Sequence, residues 1–129
     1  MQDLIVQGNE STPSIHAQWQ EGCLAMWGDS YPENPFELYR PVIKWVESFL
    51  ADSERPLMLR IELLYVNTST IRSLMEIFDR LEAAHGKGRE VSLQWWYEEE
   101  NERVAELAEE FREDYLFPFD IIAKPESSV

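Results

Sequence analysis

The stretch from position 57 to position 71 constrains the fold most, because a strand pattern and a helix pattern meet there. Leu57–Val66 is dense in β-forming side chains and predicts a buried strand. Asn67, a turn and cap residue, ends this strand and is followed by three hydroxyl side chains, Thr68, Ser69 and Thr70. Apolar residues then recur at helical spacing, at Ile71, Leu74, Met75, Phe78 and Leu81. The hydroxyls are therefore predicted at a helix N-terminus, where free N–H groups and the helix dipole favour an added phosphate.

The order of the other predicted elements indicates an α/β fold. Residues 14–27 predict a hairpin that turns near Gly22, and residues 1–12 predict a loose arm or an edge strand. Strands are predicted again near 57–66, 90–97 and 119–123. A helix is predicted after the hairpin, after the strand near 57–66 and after the strand near 90–97. Such repeats favour parallel neighbours in a mostly parallel or mixed sheet that is covered by helices. We expect one domain over residues 1–129, with loose ends at 1–12 and 124–129.

The first helix has a clear start and one irregularity. Residues 28–33 are turn formers and predict a loop, after which Asn34 is an N-cap candidate, Pro35 suits the first helical position and Glu37 suits the third. Pro41 lies beyond the first turn, where proline removes a backbone hydrogen bond. The pattern allows two structures: a helix that bends at this proline, or a helix that begins there after a separate turn.

The charge of the chain excludes some classes of partner. The sequence has 25 acidic and 11 basic residues and a formal net charge of −14. A field of this sign repels nucleic acids and anionic membranes and favours a basic partner surface, although acidity can also serve solubility alone. The N-terminus has no signal-peptide pattern, and no apolar run approaches the ~20 residues that span a bilayer. We expect a cytoplasmic protein that does not insert into membranes.

A search for catalytic groups finds none that is convincing. The two histidines are far from other ligand-type residues, the single cysteine allows no intrachain disulfide, and the five glycines form no phosphate-binding loop. One acidic group could hold a hard cation or could simply be a solvated helix start: Glu98, Glu99, Glu100, Glu102 and Glu106. We expect neither metal nor cofactor, and a binding module is favoured over an enzyme.

Aromatic side chains near predicted strand ends suggest a protein interface. Trp95, Trp96 and Tyr97 are consecutive on a strand, so alternate rings face opposite sides of the sheet. Tyr31 and Tyr65 also lie at or just beyond predicted strand ends. These rings either fill the core or anchor a partner, because Trp and Tyr are enriched at interfaces.

Three motifs carry a family resemblance: Gly-Asp-Ser-Tyr-Pro-Glu-Asn at 28–34, Leu-Tyr-Val-Asn-Thr-Ser at 64–69, and Trp-Tyr-Glu at 96–98. Through them the chain resembles the SiaC family of bacterial regulatory phosphoproteins over roughly residues 11–123. The resemblance implies a STAS-like α/β domain that is phosphorylated on a threonine, and the acceptor of the family motif falls on Thr68. Thr70 stands where the family pattern has a serine, so it and Ser69 are additional candidate hydroxyls.

The resemblance also implies three partners. A SiaB-like kinase phosphorylates the threonine, and a PP2C-type phosphatase, SiaA-like, reverses the reaction. The unmodified protein binds and activates a SiaD-like diguanylate cyclase, which raises cyclic-di-GMP and promotes biofilm formation. The partner surface is then expected at Tyr31, Tyr65, Asn67, Thr68, Ser69 and Trp96. Two other functions stay open: an anti-sigma-factor antagonist of the STAS class, and a small acidic metal-dependent enzyme that uses the carboxylates of Glu98 to Glu106.

Overall fold

The computed structural model describes residues 2–124 and consists of a six-stranded sheet with three helices. The strands are β1 (Leu4–Val6), β2 (Ser14–Gln18), β3 (Cys23–Ser30), β4 (Leu57–Val66), β5 (Val91–Glu98) and β6 (Phe119–Lys124). The helices are α1 (Pro35–Asp52), α2 (Thr68–Gly86) and α3 (Glu102–Glu113). The α/β class, the N-terminal hairpin and the three main helices are confirmed.

The strands follow one another across the sheet in chain order, and the sheet is mixed. β1, β2 and β3 pair antiparallel, whereas β3, β4, β5 and β6 pair parallel. Because the parallel strands advance in one direction, crossovers of a single hand place all three helices on the same face. The core agrees with this, since side chains from every helix pack with those of one sheet face.

The central strand β4 shows how the two faces differ. Leu59, Ile61 and Leu63 are buried against the helices, whereas Arg60 and Glu62 alternate with them on the opposite face. The opposite face carries partly exposed side chains along its length. The parallel arrangement therefore brings the ends of β3 and β4 together beside the start of α2.

For residues 1–12 the structure confirms the predicted edge strand, and the alternative of a loose arm is wrong for residues 4–6. Residues 4–6 form the edge strand β1, because Leu4 and Val6 pair with β2 opposite Ala17 and Ile15. Lys124 is the last residue of β6, opposite Glu98, and residues 125–129 lie outside the described part of the chain.

The predicted loop at 28–33 also begins later than expected. β3 continues to Ser30 and pairs with β4 past the glycine, and the register shifts between Gly28 and Asp29, where Leu64 of β4 is the extra residue. Gly28 has φ +108°, a backbone conformation that glycine adopts without a steric penalty.

Helix α1 begins at Pro35 and runs unbroken through Pro41. The N–H of Glu37 donates to the Asn34 side chain at 3.3 Å, as the N-cap prediction requires. Of the two structures that the sequence allowed, a helix that starts at Pro41 is wrong. The ring of Pro41 is on the exposed side of the helix, where the carbonyl that lacks its usual donor can reach water.

Candidate functional site

Asn67 joins the central strand to helix α2 and is tied at two atoms. Its backbone is extended, at φ −91° and ψ 174°, and its side-chain oxygen accepts a hydrogen bond from the Thr70 N–H at 2.9 Å. Its own N–H donates to the Ser30 carbonyl at 3.1 Å. The predicted cap is therefore confirmed, and it is also anchored to the end of the neighbouring strand β3.

The three hydroxyls after Asn67 lie in different environments. Thr68 and Ser69, the first two residues of α2, are exposed, whereas Thr70 has no exposed surface. The Thr70 hydroxyl donates to the Ser30 carbonyl at 3.0 Å and lies 2.8 Å from the Ser30 hydroxyl. A modifying enzyme cannot reach Thr70 in this fold, so Thr68 and Ser69 are the accessible candidates of the three.

A chain of buried hydroxyls continues from Thr70 into helix α1. The Ser30 hydroxyl lies 2.7 Å from the hydroxyl of Tyr39, a fully buried ring on α1. Burial raises the pKa of Tyr39 to about 12, although the hydrogen bonds with Ser30 and Thr70 act in the opposite direction. One hydroxyl each from β3, α1 and α2 thus meets beneath the start of α2.

Thr68 and Ser69 open onto two different clefts. Thr68 lines a cleft of about 400 Å³ between the end of β4, the start of α2 and helix α3. Ser69 lines a groove of about 460 Å³ between the start of α1 and α2. A partner that docks in one cleft therefore meets a different hydroxyl from a partner that docks in the other.

The cleft at Thr68 is braced by Asn101, which caps α3. The Asn101 side chain donates to the Leu64 carbonyl at 3.0 Å and accepts from the Val104 N–H at 3.2 Å. One basic and two acidic side chains also line this cleft: Arg103, Glu106 and Glu110.

Tyr31 and Tyr65 form an exposed aromatic pair beside this cleft. Their rings meet edge to face with centroids 5.6 Å apart, and 42% and 48% of the two residues remain exposed. The register between β3 and β4 shifts by one residue after Gly28, so Asp29 lies opposite Tyr65, where a regular register would place Ser30. The prediction that these tyrosines are available to a partner agrees with their exposure.

Comparison with known proteins identifies the family. The family model described as SiaC family regulatory phosphoprotein matches residues 6–124. The chain belongs to this family. A protein of Pseudomonas aeruginosa (strain UCBPP-PA14), described as uncharacterized, is 60% identical over 126 residues, which cover 98% of this chain and all of that protein.

Solved structures agree with the family model. The crystal structure of apo-SiaC from Pseudomonas aeruginosa is 59% identical, with a TM-score of 0.92 over 95% of this chain and all of that chain. A chain of the crystal structure of the diguanylate cyclase SiaD in complex with its activator SiaC, from the same organism, is 61% identical, with a TM-score of 0.93 and the same coverage. The family and the α/β fold that the sequence motifs implied are confirmed.

The predicted partner residues of this SiaC-family chain do not all lie together. Tyr65, Asn67 and Thr68 line the same cleft, and the Tyr31 ring meets the Tyr65 ring edge to face. Trp96 lies on the sheet face opposite the helices, where the Arg60 guanidinium sits over its ring at 4.6 Å. Its indole N–H donates to Gln94 at 3.1 Å, so Trp96 is part of a separate cluster.

Sequence reasoning missed several residues of the site. Ser30 stands in a family motif, but its contacts with Tyr39 and Thr70 depend on tertiary packing and were not predicted. Phe36 and Met75, which line the groove at Ser69, are 74% and 42% exposed. Met75 was expected in the buried stripe of α2, and its exposure is a correction: helical spacing predicts the apolar face but not where the neighbouring helix ends.

The acidic group near α3 shows no metal-binding geometry. Glu98, Glu99 and Glu100 are exposed at the turn before α3, and Glu102 is in its first turn, where acidic side chains complement the helix dipole. Among residues 2–124, no three or more His, Cys, Asp or Glu side chains are placed to hold a metal ion. Nor does this part of the chain contain a helix long and apolar enough to cross a bilayer.

Proposed function

We propose that this chain is a single-domain, non-enzymatic switch protein of the cytoplasm, and that its unphosphorylated form binds and activates a diguanylate cyclase. Activation would raise cyclic-di-GMP and promote biofilm formation. The observation that carries the proposal is the 61% identity, over 95% of the chain, to a chain of the SiaD complex in which SiaC is the activator. At this identity we expect the surface that a cyclase would contact to have the same backbone conformation as in that complex.

The switch residue in this proposal is Thr68, acted on by a SiaB-like kinase and a SiaA-like PP2C phosphatase. Its side chain is exposed at the first position of α2, so a kinase can reach it without unfolding the helix. A phosphate brings about −1.5 to −2 charges, which the positive end of the helix tolerates. The family motif favours Thr68 over its exposed neighbour Ser69.

Phosphorylation is proposed to act through the partner surface and not through the fold. The cleft at Thr68 is lined by Arg103 but also by Glu106 and Glu110, so a phosphate there meets charges of both signs. A hydrated dianion beside the exposed Tyr31–Tyr65 pair must lose water when a partner docks. A cost of about 2.8 kcal/mol lowers affinity about a hundredfold, which is enough for a switch.

Mass spectrometry tests the acceptor. The purified chain is incubated with the cognate kinase and Mg-ATP, and tandem spectra locate the phosphate. We expect phosphate on Thr68, no incorporation into Thr68→Ala, and normal incorporation into Ser69→Ala. Phosphate on Ser69 in the unaltered chain, with Thr68 unmodified, refutes the assignment.

Calorimetry with the cyclase tests the mechanism. Thr68→Asp places a carboxylate at the switch and is expected to weaken binding by about tenfold or more, since a charge in a docking surface costs over 1.4 kcal/mol. The control is Gln20→Asp on the exposed hairpin turn, which changes the net charge equally. Equal affinities for the unaltered chain and Thr68→Asp would rule the mechanism out.

The partner surface is proposed to include Tyr31, Tyr65, Asn67 and Ser69 around Thr68. Buried tyrosine anchors commonly cost more than about 1 kcal/mol when truncated, so Tyr65→Ala should weaken cyclase binding at least about fivefold. Trp96→Ala decides whether the opposite sheet face belongs to the same interface. Unchanged affinity of the Trp96 variant restricts the interface to the helix-side cluster.

A further inference from the structure

Two exposed hydroxyls stand side by side at the start of α2, and the fold directs them to different clefts. Thr68 lines the cleft between β4 and α3, and Ser69 lines the groove between α1 and α2. Successive residues of an α-helix are about 100° apart around its axis. Rotation of the first turn by one residue would therefore move Ser69 towards the position that Thr68 holds.

Thr70 is held at three points that oppose such a rotation. Its N–H donates to Asn67 at 2.9 Å, its hydroxyl donates to the Ser30 carbonyl at 3.0 Å, and the Ser30 hydroxyl lies 2.8 Å away. Ser30 is in turn 2.7 Å from the Tyr39 hydroxyl, and all three hydroxyl residues are fully buried.

The direction of these hydrogen bonds follows from counting hydrogens. A hydroxyl has one hydrogen, and Thr70 gives its own to the Ser30 carbonyl. The Ser30 hydroxyl must then donate to Thr70, and the Tyr39 hydroxyl must donate to Ser30. The resulting chain, Tyr39 to Ser30 to Thr70 to the Ser30 carbonyl, leaves no buried hydroxyl hydrogen without an acceptor.

We propose that this buried hydroxyl chain positions the phosphoacceptor: it holds Thr70 inward and so presents Thr68, and not Ser69, at the cleft between β4 and α3. Tyr39, Ser30 and Thr70 are positioning residues, because none of them is exposed to a kinase. Asn67 alone does not suffice, since a cap satisfies the first turn of a helix without attaching it to the other helices. This inference rests on the proposed function of Thr68.

Thr70→Val and Thr70→Ser form the decisive pair. Valine has nearly the shape of threonine and no hydroxyl, whereas serine keeps the hydroxyl and loses a methyl group. Each variant is incubated with the cognate kinase and Mg-ATP, and tandem mass spectrometry gives the rate of phosphorylation and the ratio of phosphate on Thr68 to phosphate on Ser69.

Thr70→Val is expected to slow phosphorylation of Thr68 about tenfold or more and to bring measurable phosphate onto Ser69. Small misplacements of a reacting group cost up to about a hundredfold in rate, which sets the scale. Thr70→Ser should keep the rate and the ratio of the unaltered chain. Assays are run at a temperature at which circular dichroism shows each variant fully folded.

A merely structural role predicts a different result: Thr70→Val is less stable, but its rate and its ratio at the two hydroxyls are unchanged. That result overturns the inference. If Thr70→Val does not fold, the double variant Ser30→Ala/Tyr39→Phe decides, because it removes the Ser30 hydroxyl contact of Thr70 and leaves no buried hydroxyl hydrogen without an acceptor. In this variant the ratio of phosphate on Thr68 to phosphate on Ser69 must shift towards Ser69, and an unchanged ratio also overturns the inference.

The unaltered chain separates this inference from the proposed function. Phosphate on Thr68 of the unaltered chain, together with an unchanged ratio in Thr70→Val, rejects the positioning role and leaves the proposed switch standing. Absence of phosphate from Thr68 in the unaltered chain rejects the proposed acceptor itself.

Discussion

Replacement of Thr70 by valine should destabilise the fold far more than its small change in shape suggests. The substitution removes the hydrogen bond to the Ser30 carbonyl, which keeps only the Asn67 N–H as a donor. It also removes the acceptor of the Ser30 hydroxyl hydrogen. Ser30 can turn towards Tyr39, but the Tyr39 hydroxyl then has no acceptor in this chain, so one buried hydroxyl stays unsatisfied in either arrangement.

The expected loss in the free energy of unfolding follows from this count of hydrogen bonds. One lost hydrogen bond costs about 0.5–1.5 kcal/mol and one unsatisfied buried donor costs about 1–3 kcal/mol, so Thr70→Val should lose about 1.5–4.5 kcal/mol. Tyr39→Phe leaves every remaining hydrogen with an acceptor and should lose only about 0.5–1.5 kcal/mol. Thr70→Ser removes one buried methyl group, worth about 0.8 kcal/mol.

Urea unfolding followed by tryptophan fluorescence measures the three variants against the unaltered chain. The expected order of the losses is Thr70→Val largest, with Tyr39→Phe and Thr70→Ser both smaller. At about 4 °C per kcal/mol for a domain of this size, Thr70→Val should melt about 6–18 °C lower. A loss below about 0.5 kcal/mol for Thr70→Val, or a larger loss for Tyr39→Phe, would refute the hydrogen count.

Three further measurements test the fold around the site. Gly22 has φ +63°, and a Cβ there would clash with the Pro56 carbonyl oxygen, so Gly22→Ala should destabilise the fold. Gly86 has open space around it, so Gly86→Ala should be neutral or should stabilise the fold by up to about 1 kcal/mol. Urea unfolding measures both variants. The pKa of Tyr39 is raised to about 12 from an ordinary 10.0, so between these pH values the folded chain holds a proton that the unfolded chain has lost. The free energy of unfolding should therefore fall as pH rises from 10 to 12, and it should fall less steeply in Tyr39→Phe. Glu82 accepts the N–H groups of residues 116 and 117 at 3.0 and 3.1 Å, so Glu82→Ala should lose about 1–2 kcal/mol in urea unfolding, and an unchanged midpoint would show that these bonds contribute nothing.

The sequence alone predicted the elements and the place of the proposed site, because both predictions depend on local chemistry. A run of β-forming side chains predicted β4, helical apolar spacing predicted α2, and Asn67 caps α2 as its side chain and position required. A cap acts over three residues, so neighbouring positions suffice to predict it. The family motifs then selected Thr68 among three adjacent hydroxyls.

Only the tertiary structure decided which hydroxyls are accessible and what holds them. Thr70 is buried beside Ser30, 40 positions away in the chain, and Ser30 lies opposite Val66 at the end of β4 because the register shifts after Gly28. Tyr39 reaches the same point from α1. Contacts between distant positions depend on strand register and helix packing, which local sequence patterns do not predict. The strand-to-helix junction was thus predicted from the sequence. The exposure of Thr68 and the burial of Thr70 follow from the packing of β3, α1 and α2 beneath this junction.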